Sequence, residues 1–378
     1  MDKIILIPDS FKGTMDSLTI CGIMEAVVRQ HYPQAHIVSL TVADGGEGSV
    51  DSFLHALGGE KITLRVKGPR FEDLDAFYGL VDQGRTAVIE MAACAGLPLM
   101  GDKKDPLAST TYGVGQLMLD AASRGVKRII LGLGGSATND GGCGAAAAAG
   151  VKFFDRAGEP FIPVGANLHL IDKIDLTGNR LMQSGIEVIA MCDIDNPLYG
   201  PKGAAHVFAP QKGASETDVE LLDAGLRHLA TVIKEELGKE VDLLPGSGAA
   251  GGMGAGAYAF FDASLEAGIE VVLDLLRFEE VTRDANLVLT GEGKIDGQSL
   301  GGKVVVGVAR RAKKLGVPVV AIVGDIEDPV GPIYSEGVIG IFSINRLAID
   351  FAQARQRSHH DLALTVDNLM RFIKQLGI

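Results

Sequence analysis

Short apolar runs alternate along this chain with loops rich in glycine, acids and hydroxyls. Residues 3–8 read as a buried parallel strand, residues 18–29 carry apolar positions at helical spacing, residues 36–42 look like a second strand, and residues 50–57 form a second helix. Strand, loop and helix repeated twice predict right-handed crossovers and a parallel sheet. The texture changes after Gly58-Gly59, where residues 61–67, 75–82 and 86–91 are strand-like with short turns between them, predicting antiparallel or mixed pairing. A helix over 111–124, a strand from 128 and an alanine-rich helix over 145–149 follow. Beyond them lie strands at 151–154 and 186–191, a loop-rich segment between these, a long helix over 214–237 and a glycine-dense stretch over 246–256. From about 286 the parallel pattern returns, with strands at 286–290, 317–323 and 338–342, a helix over 303–315 and closing helices. The expected fold is α/β in two domains. One, over 1–66 and 281–378, is built from both chain ends around a parallel sheet. The other, over 67–280, is an inserted mixed α/β domain, with the active site expected in the cleft between them.

The loops carry the chemistry. The run from Arg128 drops into Gly134-Gly135-Ser136-Ala137-Thr138-Asn139-Asp140-Gly141-Gly142, just before the alanine-rich helix. Glycines let backbone N–H groups approach an anion, and a helix N-terminus favours negative charge there. Asp140 would repel a bare phosphate, so the stretch points to phosphate linked through a cation such as Mg²⁺. Three further loops hold paired acids after apolar runs: Asp44 with Glu47, Asp193 with Asp195, and Glu292 with Asp296. Any one pair is also what a solvated turn beside glycine looks like. Together with Asp140 they suit phosphoryl transfer, which needs cations on the phosphates, alignment and a carboxylate to take the acceptor's proton. Lys12, Lys212 and Lys303 stand in loop contexts suited to charge neutralisation.

Two motifs fall short. Gly132-x-Gly134-x-x-Ala137 with Asp155 imitates a dinucleotide fingerprint, but the helix between is barely three turns and Asp140 occupies the anion position. Gly297-x-x-x-x-Gly302-Lys303 copies the P-loop spacing, with Val304 where a Ser or Thr would hold Mg²⁺. The histidines are scattered and none sits in a ligand-like cluster, so Ser/His/Asp hydrolase chemistry is not expected.

Composition narrows the field. Glycine contributes 50 of 378 residues, clustered in loops, and the formal net charge of −13 argues against nucleic acid as the main partner. Four widely spaced cysteines predict reduced thiols. No uncharged apolar run approaches the roughly 18 residues of a membrane span, so a cytoplasmic protein without a membrane partner is expected.

Taken together, Pro8-Asp9-Ser10-Phe11-Lys12, Ala43-Asp44-Gly45-Gly46-Glu47-Gly48, the Gly134 to Gly142 stretch, Cys192-Asp193-Ile194-Asp195-Asn196-Pro197-Leu198, Phe208-Ala209-Pro210-Gln211-Lys212-Gly213-Ala214 and Gly291-Glu292-Gly293-Lys294-Ile295-Asp296-Gly297-Gln298 resemble the bacterial type-1 glycerate kinase family. The resemblance implies Mg²⁺-dependent phosphorylation of D-glycerate by ATP, in glyoxylate or sugar-acid breakdown. It also implies a flavodoxin-like domain split around a second α/β domain. The resemblance leaves residue roles open; from the loops themselves the ATP phosphates are expected against Gly134, Gly135, Ser136, Thr138 and Asn139, with Lys12 and Lys303 beside them. Asp193, Asp195, Asp140 and Glu292 serve the metal. Asp296 is the first choice as base and Asp44 the second, and Ser10, Gly45, Gly46, Glu47 and Lys212 face glycerate. The family favours the 2-hydroxyl as acceptor over the 3-hydroxyl. A homodimer is compatible with the sequence. A non-catalytic nucleotide- or sugar-acid-binding regulator using the same loops is the rival from another class.

Overall fold

The structure is a computed structural model that describes residues 1–42 and 48–377. Its chain divides into two compact units, Met1–Ala43 with Ala267–Ile378, and Asp44–Glu266.

The first unit is a five-stranded sheet in the order Val338–Ser343, Val319–Val323, Leu287–Gly291, Lys3–Pro8, His36–Ser39, with every pairing parallel. Such a sheet is covered on both faces, which is why its central strands read as unbroken apolar runs. Ile4 and Leu6 pack with Ile20 and Met24 of helix Ser17–His31 and with Leu362 and Val366 of helix Phe351–Leu376. Helix Val304–Lys314 buries Val305, Val306 and Val308. It lies so close to helix Gly268–Leu275 that a side chain at Gly307 would come within 2.8 Å of Ile269. The chain leaves Lys3–Pro8 toward one edge and Leu287–Gly291 toward the other. The crevice beyond the carboxyl ends of these two neighbours is therefore the switch point where ligands bind in open α/β sheets.

The second unit holds a six-stranded mixed sheet in the order Ser264–Glu266, Glu187–Met191, Arg128–Gly132, Thr86–Glu90, Asp73–Val81, Glu60–Lys67. The first three pairings are parallel and the last two antiparallel. Both the parallel sheet from the chain ends and the mixed second sheet agree with the sequence pattern. The boundaries fall elsewhere than the change of texture suggests. Strand Glu60–Lys67 pairs along its whole length with Asp73–Val81, and Val50 of helix Ser49–Leu57 lies 3.2 Å from where a Gly79 side chain would begin. Both elements thus belong to the second unit. The loop-rich segment contains a small antiparallel sheet of Pro160–Phe161, Lys152–Phe154 and Lys173–Asp175. Phe153 from it stacks edge-on against Phe260, ring centres 5.7 Å apart, in the core. Among the described residues no helix is long and apolar enough to cross a membrane.

Candidate active site

A cavity of about 670 Å³ opens at the switch point of the first unit. Two tight loops build its charged wall. After strand Lys3–Pro8 the chain folds back on itself, with Phe11 N–H donating to Met15 O (2.8 Å) and Thr14 N–H to Phe11 O (2.8 Å). That turn sets Asp9, Ser10 and Lys12 along the cavity. After Leu287–Gly291 the chain passes through Glu292 and Asp296 and a 3-10 turn, Gly297–Gly301, to reach Lys303 at the start of helix Val304–Lys314. Sequence-distant Ser10, Lys12, Glu292, Asp296 and Lys303 thus line one site.

The acids in this wall differ. Glu292 is buried, and Ser299 Oγ donates to its Oε1 at 2.5 Å. Burial pushes its carboxyl up to about 7, opposed by Ser299 and Lys303 and reinforced by the charges of Asp9 and Asp296. Asp296 is partly exposed, and its Oδ1 lies 3.6 Å from Lys303 Nζ. Asp9 completes the wall and Ser299 backs Glu292 from the interior, neither having been singled out for chemistry. Asp9 follows the strand directly, a signal the sequence held. Ser299 is the serine of the Gly-x-Ser-x-Gly run Gly297-Gln298-Ser299-Leu300-Gly301, and here it is buried against Glu292. The opposite lining includes Ile344, Ile349, Phe351 and Arg355, which come from a segment and helix whose sequence pattern is that of packing alone.

The glycine-rich loop is a different object. In the second unit Gly134 and Gly135 reach the surface, while Ser136, Thr138, Asn139 and Asp140 are buried. Gly141 and Gly142 adopt φ of 61° and 76°, and a side chain at Gly141 would come within 2.3 Å of Leu229. Asp140 accepts Thr111 N–H (2.7 Å), Thr111 Oγ1–H (2.9 Å) and Gly144 N–H (3.2 Å) on Oδ2, and Gly142 N–H (3.1 Å) on Oδ1. It caps the starts of helices Tyr112–Ser123 and Cys143–Ala149 at once. With both oxygens engaged and no solvent exposure, Asp140 anchors the loop; the metal role expected of it does not fit. Burial raises its pKa and the four donors oppose that.

Lys212 is buried too. Its Nζ donates to Ser136 Oγ (2.9 Å) and Thr138 O (2.7 Å), and burial pushes it down to about 7 against the charge of Asp140. The lysine expected to face glycerate instead ties the glycine-rich loop to the turn Pro210–Lys212. Thr138 Oγ1 and both side-chain polar atoms of Asn139 are buried without a hydrogen-bond partner. Asp193 and Asp195 are exposed beyond the carboxyl end of strand Glu187–Met191. Among the described residues no group of three or more His, Cys, Asp or Glu could hold a metal ion. Asp44, Gly45, Gly46 and Glu47 lie outside the described residues.

A profile described as the glycerate kinase family matches residues 4–374. The chain belongs to the glycerate kinase family. It is 44% identical to a glycerate kinase of Halalkalibacterium halodurans over 372 residues, covering 98% of this chain and 97% of that one. It is likewise 44% identical to a glycerate 2-kinase of Escherichia coli over 343 residues, 90% of each. A crystal structure described as glycerate kinase 2 from Salmonella typhimurium LT2 superposes with a TM-score of 0.87 at 39% identity, covering 100% of this chain and 99% of that one. Membership in the glycerate kinase family runs through both units, since the matched residues span the switch-point loops and the glycine-rich loop alike.

Proposed function

We propose that this protein is a kinase that transfers the γ-phosphoryl group of ATP to the 2-hydroxyl of D-glycerate. The observation that carries the proposal is similarity at this level over nearly the whole chain to proteins named glycerate kinase and glycerate 2-kinase. The switch-point cavity supports it chemically, because phosphoryl transfer asks for positive charge, alignment and one proton acceptor, and little covalent help.

In this reading Asp296, partly exposed at the cavity with the Lys303 ammonium 3.6 Å away, accepts the proton of the acceptor hydroxyl. Lys12 and Lys303 neutralise charge on the phosphates. Ser299 holds Glu292 in place behind them. Mg²⁺ binds through one or two carboxylates together with substrate phosphates and water. Asp9 offers such a carboxylate at the cavity, the donor set to be completed by the nucleotide and water. When bound, the ion would screen the phosphate oxygens during transfer. Four free cysteines support a reducing compartment, the cytoplasm, as the setting of the reaction.

A coupled ADP-release assay with D-glycerate, ATP and Mg²⁺, followed by phosphorus NMR of the product, tests the proposal. Glycerate-dependent ADP release with 2-phosphoglycerate as product is expected. No turnover favours the non-catalytic regulator, and 3-phosphoglycerate as product refutes the assignment of the acceptor hydroxyl.

A further inference from the structure

The switch-point cavity is far larger than a three-carbon acid requires. At about 670 Å³ it lies in the range that encloses much larger ligands. Its lining is also divided along the sheet. The charged groups Lys12, Asp296 and Lys303 come from the loops after Lys3–Pro8 and Leu287–Gly291. The apolar groups Ile349 and Phe351 follow the edge strand Val338–Ser343. Sheet order puts Val319–Val323 between that edge and Leu287–Gly291, so the two linings stem from strands about 10 Å apart.

Each side has its own signature. Phe351 is 69% exposed and Ile349 36%, and both large apolar side chains meet the same cavity. Apolar surface gathered at a cavity, and not scattered singly, marks a binding face. Glycerate bears an oxygen on every carbon and has no apolar face to lay against it. On the other side, helix Val304–Lys314 starts from Lys303, whose own side chain makes no cap hydrogen bond. The first-turn N–H groups, the helix dipole and the Lys303 ammonium together favour a polyanion.

The geometry points to a nucleoside triphosphate as the occupant of this cavity, its base against Phe351 and Ile349 and its phosphates at Lys303 and the first turn of Val304–Lys314. The inference rests on the kinase reading above and adds which unit holds the nucleotide and which side chains read its two ends. Base-on-ring contact of this kind tolerates any base, so discrimination between purine nucleotides at Phe351 is weak.

The test is displacement of a fluorescent ATP analogue from the full-length protein by ATP and by adenosine, with wild-type turnover of glycerate measured in parallel. Phe351→Ala weakens ATP and adenosine alike, by about tenfold or more, and Phe351→Tyr, which keeps the ring, restores most of the loss. Lys303→Ala weakens ATP by about tenfold and leaves adenosine within twofold of wild type. Both side chains are exposed or half-exposed, so circular dichroism should show unchanged folding. If wild type turns over glycerate and neither substitution moves ATP affinity, the nucleotide lies elsewhere and the inference is wrong. If wild type neither binds ATP nor turns over glycerate, the kinase reading itself falls, and this assignment with it.

Discussion

Two buried carboxylates, Asp140 in the second unit and Glu292 in the first, do opposite jobs. Both are nearly invisible to solvent, and burial raises the pKa of each. Asp140 meets four donors and joins two helix starts. Glu292 has one short hydrogen bond from Ser299 and stands at a cavity with Asp9, Asp296 and Lys303 around it. The lysines repeat the contrast. Lys212 is locked between a hydroxyl and a carbonyl, whereas Lys303 stands half-exposed near Asp296. Satisfied polar groups make architecture; under-compensated ones beside space for a ligand are where chemistry is kept.

The largest expected effect breaks the architectural side. Asp140→Ala strands four buried donors, and at about 1–3 kcal/mol for each unsatisfied group the loss should reach roughly 4 kcal/mol or more, read as a lower midpoint in chemical unfolding. On the chemical side, Asp296→Asn should lower kcat by at least ~10² with little change in ATP affinity or unfolding midpoint; steady-state kinetics checks it, and near-normal turnover would remove Asp296 as base.

Glu292→Gln sharpens the contrast through pH. Its carboxyl sits at about 7 when folded against 4.5 as the reference value. Below pH 4.5 folded and unfolded chains both hold the proton, so no penalty arises. As pH rises toward 7 the unfolded chain gives up its proton first, and stability falls. Glu292→Gln escapes that loss while keeping an acceptor for Ser299, so it should be the more stable protein at pH 8, by at most roughly 3 kcal/mol, and equal to wild type near pH 4. Unfolding midpoints across that range decide it; a constant difference would mean that Glu292 does not titrate as described. The smallest effect supplies the baseline. Arg371→Ala removes a solvent-facing pair with Asp367 one helical turn away and should leave the unfolding midpoint essentially unchanged.

Much of the fold was legible because parallel strands buried on both faces have to be apolar throughout. Residues 3–8 and 286–290 advertise themselves for that reason, and so do the loops they release. The unit boundary was not legible, because whether Ser49–Leu57 and Glu60–Lys67 belong with what precedes or follows them depends on pairing with Asp73–Val81, a long-range fact. The site was half legible. Lys12, Asp296 and Lys303 follow strands whose order brings their loops together. Asp140 misled, because an acid among glycines reads alike whether it meets a cation or two helix starts; only Thr111, far away in sequence, separates the cases. Phe351 and Arg355 gave no signal, lying in a helix whose pattern is that of packing.

The contrast between the two carboxylate sites is tested most directly by measuring turnover and unfolding midpoint side by side for Asp296→Asn and Asp140→Asn. The account predicts a crossed result: Asp296→Asn loses at least ~10² in kcat at wild-type stability, while Asp140→Asn is marked first by a lowered unfolding midpoint. An Asp140→Asn protein of full stability that has lost turnover, beside an Asp296→Asn protein that keeps it, would contradict the account.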